Sequence, residues 1–119
     1  MRIICLLALY AAAVLGFPES SPAGEICGDP FTRAGLNNGI SPKLLYAIAR
    51  RESGLRPLAL NVDGQSFFPA SRDHAITSAI RAKSNVDVGL MQVSYTIWKS
   101  RYGLSIADLL NPYRNVETG

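Results

Sequence analysis

A single, mainly α domain is what this sequence predicts, and three observations predict it. Helix-start and helix-stop residues alternate at helical intervals: Asp29-Pro30 followed by Asn37-Asn38-Gly39, then Ser41-Pro42 followed by Gly54. Between the second pair, Leu44, Leu45, Ile48 and Ala49 recur with the spacing of one helix face. No stretch alternates apolar and polar residues convincingly enough to read as a strand, and no segment repeats. At 119 residues the chain has room for one small domain.

The first element is an export signal rather than part of that domain. Fourteen of the first 15 residues are apolar, Arg2 being the exception, and Ile3 to Leu15 is unbroken. Such a run is shorter than the ~20 residues needed to cross a bilayer. Ser21 and Ala23 satisfy the small-residue requirement of signal peptidase, so residues 1–23 are expected to be removed and Gly24 to become the N-terminus. Gly24-Glu25-Ile26 before Cys27 is not a lipobox, which excludes a lipid anchor there. The mature protein is therefore expected in the periplasm, with no membrane attachment and with Cys27 as a lone thiol. From Gly24 onward 41 of 96 residues are apolar, an ordinary value for a water-soluble domain.

The rest follows in order. Asp29 caps a first helix, and Ser41 opens a second that Gly54 ends. Residues 57–70 hold Pro57, Gly64, Pro69 and Asn61-Val62-Asp63, and read as loop. Ser71 caps a helix reaching Lys83, with Ala75, Ile76, Ala79 and Ile80 on its inner side. Residues 85–93 read as irregular. Tyr95 to Tyr102 is helical and stops at Gly103; Ser105 opens a short turn of helix, and Asn111-Pro112 starts the last helix.

Charge and composition exclude several functions. A net charge of +3 without a basic run gives no nucleic-acid footprint. One histidine and one mature cysteine cannot build a zinc site, and no cofactor is implied. His74, in a first helical turn, reads as solvated. Tyr95, Trp98 and Tyr102 read as core, with stacking on sugar rings as the other use of that spacing.

One carboxylate is oddly placed. At about 100° per residue, Leu44, Ile48 and Glu52 fall at about 0°, 40° and 80°, with Leu45 and Ala49 at about 100° and 140°. Glu52 thus lies inside the apolar arc, in a last turn whose dipole disfavours negative charge. Desolvation and dipole together would raise a carboxyl pKa toward the range of a general acid. The other reading is a glutamate that reaches out to Arg51 or Arg56.

Three stretches in order bear on that choice: Ile40 to Pro57 with Glu52-Ser53 inside it, Gly89-Leu90-Met91-Gln92-Val93, and Asn111 to Gly119. Together they resemble the lytic transglycosylases with a lysozyme-like soluble-transglycosylase domain. Asn85-Val86-Asp87-Val88 leading into Gly89, with the helix before it, is similar to the subgroup associated with conjugation and type IV secretion. The resemblance implies a lysozyme-like fold and cleavage of the β-1,4 bond between N-acetylmuramic acid and N-acetylglucosamine, with peptidoglycan strands and secretion components as partners. It implies Glu52 as the single acid/base, Ser53 as the residue orienting it, and Met91 and Gln92 as cleft lining. The expected product is a 1,6-anhydro sugar. Family members often pair a cysteine at the position of Tyr113 with one at that of Cys27, a bridge this chain cannot form. They also continue past the position of Gly119, so a C-terminally incomplete domain is expected. A two-carboxylate hydrolase would need Asp63 or Asp87 as the partner of Glu52; both read as turn caps. A non-catalytic peptidoglycan-binding component of the same apparatus is the alternative from another class.

Overall fold

The computed structural model describes residues 28–119. The export segment 1–23, the new terminus at Gly24 and the thiol of Cys27 lie outside the described residues.

The first two helices form where the caps place them. Helix α1 (Pro30–Asn38) starts on Asp29, whose carboxylate accepts from the N–H groups of Phe31 and Thr32 at 2.9 and 3.0 Å. Gly39, left-handed at φ 66°, ends it. Helix α2 (Pro42–Ser53) follows after a turn and ends on Gly54 at φ 62°. The two helices pack together, and α1 also packs on the last helix. Gly35 permits the tight turn between them, because a Cβ there would press on Pro42.

The expectation of a mainly α domain holds, with six helices among the described residues, but a small sheet is built into it. Residues 57–70 are not all loop and 85–93 are not irregular. Strands β1 (Leu60–Val62), β2 (Gln65–Phe67), β3 (Val86–Val88) and β4 (Val93–Ser94) pair antiparallel in the order β2-β1-β3-β4. Each is two or three residues long, too short for alternation to register as a pattern. The signal that was present is Asp63-Gly64. Both residues have positive φ, 50° and 86°, and with Val62 opposite Gln65 they make a two-residue hairpin turn.

Helix α3 (Arg72–Arg81) is capped by Ser71, which accepts from the His74 N–H at 3.2 Å. It stops two residues before Lys83. Ala75 and Ala79 are buried as expected, but Ile80 is 65% exposed. The helix lies chiefly against β1 and the short helix α5 (Ile106–Leu109), a contact narrow enough to leave Ile80 outside. Helix α4 (Tyr95–Tyr102) buries none of its residues. The aromatic trio is therefore not core: Tyr95 and Trp98 rest half-buried against it, while Tyr102 stacks on Trp98 at 4.9 Å and is exposed.

Helix α6 (Pro112–Thr118) completes the domain. A continuous core joins Leu45 and Ala49 of α2, Leu60, Val86, Val88 and Val93 of the sheet, Ala75 and Ala79 of α3, and Leu109, Leu110 and Val116. The Tyr113 hydroxyl donates to the Gly28 carbonyl at 3.3 Å. A hydrogen bond thus ties the start of the described chain to α6. No described helix is long and apolar enough to cross a membrane.

Candidate active site

The site is built at the end of α2. Leu45 and Ala49 turn inward, but Leu44 is 55% and Ile48 37% exposed. The apolar arc read from the wheel is therefore covered on one side only, because α1 and the core reach Leu45 and Ala49 and no described element covers the Leu44–Ile48 stripe. Glu52 continues that stripe and is exposed, so the burial expected of it is not realised. Its carboxylate is presented to solvent at the helix end.

Ser53 is buried. Its hydroxyl donates to the Ala49 carbonyl at 3.0 Å and accepts from the Arg56 N–H at 3.3 Å. It thereby locks the last turn of α2 to the loop that follows. That loop begins with two left-handed residues, Gly54 and Leu55, each at φ 62°. For a leucine this conformation costs about 1–2 kcal/mol. The reversal folds Leu55 back against the core.

The loop is stitched to the turn that follows β3. Ala59 accepts from the Gly89 N–H at 2.8 Å and from the Gln92 side-chain amide at 3.3 Å, and Gly89 accepts from the same amide at 2.9 Å. Gln92 is half-buried and left-handed at φ 49°. Met91 lies in the core, and its N–H donates to the Asn115 side-chain oxygen at 2.7 Å. Asn115 is the residue whose role the sequence left open. It is 1% exposed, and its amide nitrogen donates to the Val88 and Leu109 carbonyls, both at 2.7 Å. One side chain thus fixes the end of β3, the Met91 backbone and the end of α5. Gly89 makes room for it, since a Cβ there would collide with the Asn115 amide and lie 3.0 Å from the Leu109 carbonyl.

The sheet supplies a second carboxylate. Leu60, Val86, Val88 and Val93 face the core, so the alternate residues form the opposite face. The register sets Asn61 against Asp87 and Asp87 against Ser94, a polar row across three strands. Partial burial, and then the nearby charge of Glu52, raise the Asp87 carboxyl above its ordinary value. Asp87 is therefore a strand residue that senses Glu52, not a turn cap. Asp63 occupies the hairpin turn and is exposed, as a turn residue. His74 is exposed too, with its ring edge-on to Phe67 at 5.5 Å. Among the described residues no three histidine, cysteine, aspartate or glutamate side chains gather as a metal site.

The family model described as transglycosylase SLT domain matches residues 29–119. The chain is 36% identical over 86 residues to the type IV secretion system protein virB1 of Brucella abortus, of Brucella melitensis and of Brucella suis. Those alignments cover 67% of this chain and 35% of each relative, so the chain spans about a third of the length of the curated relatives it matches. No solved structure matches it.

Proposed function

Because this chain belongs to the transglycosylase SLT domain family, with its lysozyme-like fold, we propose that it is a lytic transglycosylase acting on peptidoglycan glycan strands. Glu52, the exposed carboxylate at the end of a helix whose last turn Ser53 holds, is the observation that carries this reading. Glu52 protonates the glycosidic oxygen between N-acetylmuramic acid and N-acetylglucosamine. It then takes the proton from the C6 hydroxyl of the muramoyl sugar, which closes on C1 to give the 1,6-anhydro product. No water is consumed, so one acid/base suffices. Ser53 acts on Glu52 through the backbone it ties down, and Gln92 lines the cleft from the turn that Asn115 holds, with Met91 supporting that turn from the core. Digestion of sacculi followed by mass spectrometry of the released muropeptides tests this. Anhydro ends are expected, and the absence of any release would overturn the reading.

Asp87 favours a second reading. A carboxyl raised by burial and then by the charge of Glu52 stands to it as the second carboxylate of a hydrolase would. In that case water attacks, the products carry reducing ends, and Asp87→Asn abolishes release. With Glu52 as the only acid/base, Asp87→Asn leaves the anhydro products in place.

The relatives' name places them in type IV secretion. We accordingly place this chain's work in the periplasm, after removal of residues 1–23, where it opens the wall locally for such an apparatus.

A further inference from the structure

The seam between α1 and α6 holds an open cavity of about 370 Å³. Its walls follow from helical spacing. Arg33 and Asn37, four residues apart, share one face of α1, while Asn111, Arg114 and Glu117 recur every third residue along α6 and its cap. Tyr113 completes the lining, with the Arg33 guanidinium over its ring at 5.5 Å from the centroid. No lining residue belongs to α2 or to the sheet, so the cavity is separate from the elements that carry Glu52 and Asp87.

Two arginines lining one cavity repel each other unless an anion lies between them. The chain's own carboxylates nearby are directed to other donors. Glu117 accepts from the Asn37 amide with both oxygens at 3.3 Å and from the Asn38 amide with one of them at 3.1 Å. Asp29, one turn before Arg33, accepts from the Phe31 and Thr32 N–H groups with one oxygen and from the Thr32 hydroxyl with the other. Asp108 has its pKa lowered first by its hydrogen bonds to Ser105, and by the charge of Arg114 only after them. A guanidinium resting over an aromatic ring keeps N–H donors for a further partner, and their fork matches a carboxylate.

The walls decide what kind of molecule fits. Arg33, Asn37, Asn111, Arg114 and Glu117 are all exposed. A small ligand is held with roughly 70–90% of its surface buried, which so open a cavity does not provide. Side chains projecting from a larger partner need only their tips enclosed. Arginine and tyrosine are also the residues that anchor protein interfaces, and clustered arginines are a recurring means of reading acidic peptides. We propose that the α1–α6 cavity docks an acidic segment of a partner protein, whose carboxylates pair with Arg33 and Arg114. The contact is independent of the reaction at Glu52 and adds to the chain a protein partner of stated chemistry.

NMR titration of the full chain at low salt with an acetylated, amidated tetraglutamate peptide tests this without turnover. Shifts are expected at Arg33, Asn37, Tyr113 and Arg114, and none with the tetraglutamine peptide. Arg33→Gln and Arg114→Gln should each weaken binding about two- to fivefold, the range of one exposed ion pair. Arg81→Gln removes the same charge from α3, outside the cavity, and should leave the affinity unchanged. An equal loss in all three variants would reduce the effect to general charge attraction and overturn the proposal, as would shifts centred elsewhere. Inorganic phosphate should compete only weakly; binding as tight as the peptide's would mean a small-anion site and refute the protein partner. In sacculus digestion the double variant Arg33→Gln, Arg114→Gln should release muropeptides at the wild-type rate. Its failure to do so, with matching circular dichroism, would put the cavity in the substrate site and overturn the docking role. Failure of the wild type itself to digest sacculi, with the peptide still mapping to the cavity, would instead sink the catalytic reading and leave this one standing.

Discussion

Asn115 offers the sharpest test of how the site is held. Its three hydrogen bonds, all 2.7 Å, satisfy the Met91 N–H and the Val88 and Leu109 carbonyls in the interior. Asn115→Leu nearly keeps the volume but strands all three groups. Each buried orphan costs about 1–3 kcal/mol, and because they share one site the sum is best taken as about 3–5 kcal/mol. A domain of this size has about 5–15 kcal/mol in total. The variant should therefore unfold at much lower urea, and the Met91 amide should exchange rapidly even where the rest stays folded. Asn115→Asp separates hydrogen bonding from volume. It keeps an acceptor for Met91 but turns an oxygen toward two carbonyl oxygens. Burial without a partner raises that new carboxyl's pKa in the folded state above its unfolded value of about 3.9. The sign follows from linkage: the stability of Asn115→Asp is greatest below the unfolded pKa and is lost as pH rises through the folded one. Urea melts by circular dichroism from mildly acid to neutral pH measure this. Leucine within about 0.5 kcal/mol of wild type, or an aspartate variant indifferent to pH, would refute the clamp.

Asp87→Asn should stabilise the protein at neutral pH. The native carboxyl is raised by burial and by Glu52, so its charged form carries a penalty that is absent below the ordinary aspartate value of 3.8 and sets in as pH rises through the folded pKa. Melts of the two proteins should converge in acid and diverge toward neutrality, and a constant gap would contradict this origin. Glu52→Gln should lower muropeptide release by about 10²–10⁴-fold or more, since one group makes both proton transfers. Unchanged release with matching circular dichroism would remove Glu52 from the mechanism. Protein recovered from the periplasm should begin at Gly24, read by N-terminal sequencing, and a retained Met1 in the membrane fraction would indicate an anchor.

The helices were legible in the sequence because their signals are local. Asp29, Ser71 and Asn111 bond to N–H groups two or three residues away, and Gly39, Gly54 and Gly103 end helices by their own backbone freedom. The odd position of Glu52 was equally visible, since a helical wheel fixes which side chains share a face. A wheel does not say what covers that face. Leu44, Ile48 and Ile80 share helix faces with buried residues yet stay exposed, and Glu52 with them, because the packing partners reach only one flank of each helix.

The sheet escaped the sequence for a related reason. Its strands are too short to show a period, and their stability comes from pairing Leu60 with Val88 across the whole of α3. That pairing alone sets Asp87 on the face toward Glu52, which no spacing along the chain encodes. Asn115 is the same case in one residue. As a letter it is a polar residue in a short helix, and its three bonds run to groups 6 to 27 residues away. Such bonds become worth making only when water is excluded from all of them at once, and that exclusion is a property of the folded chain.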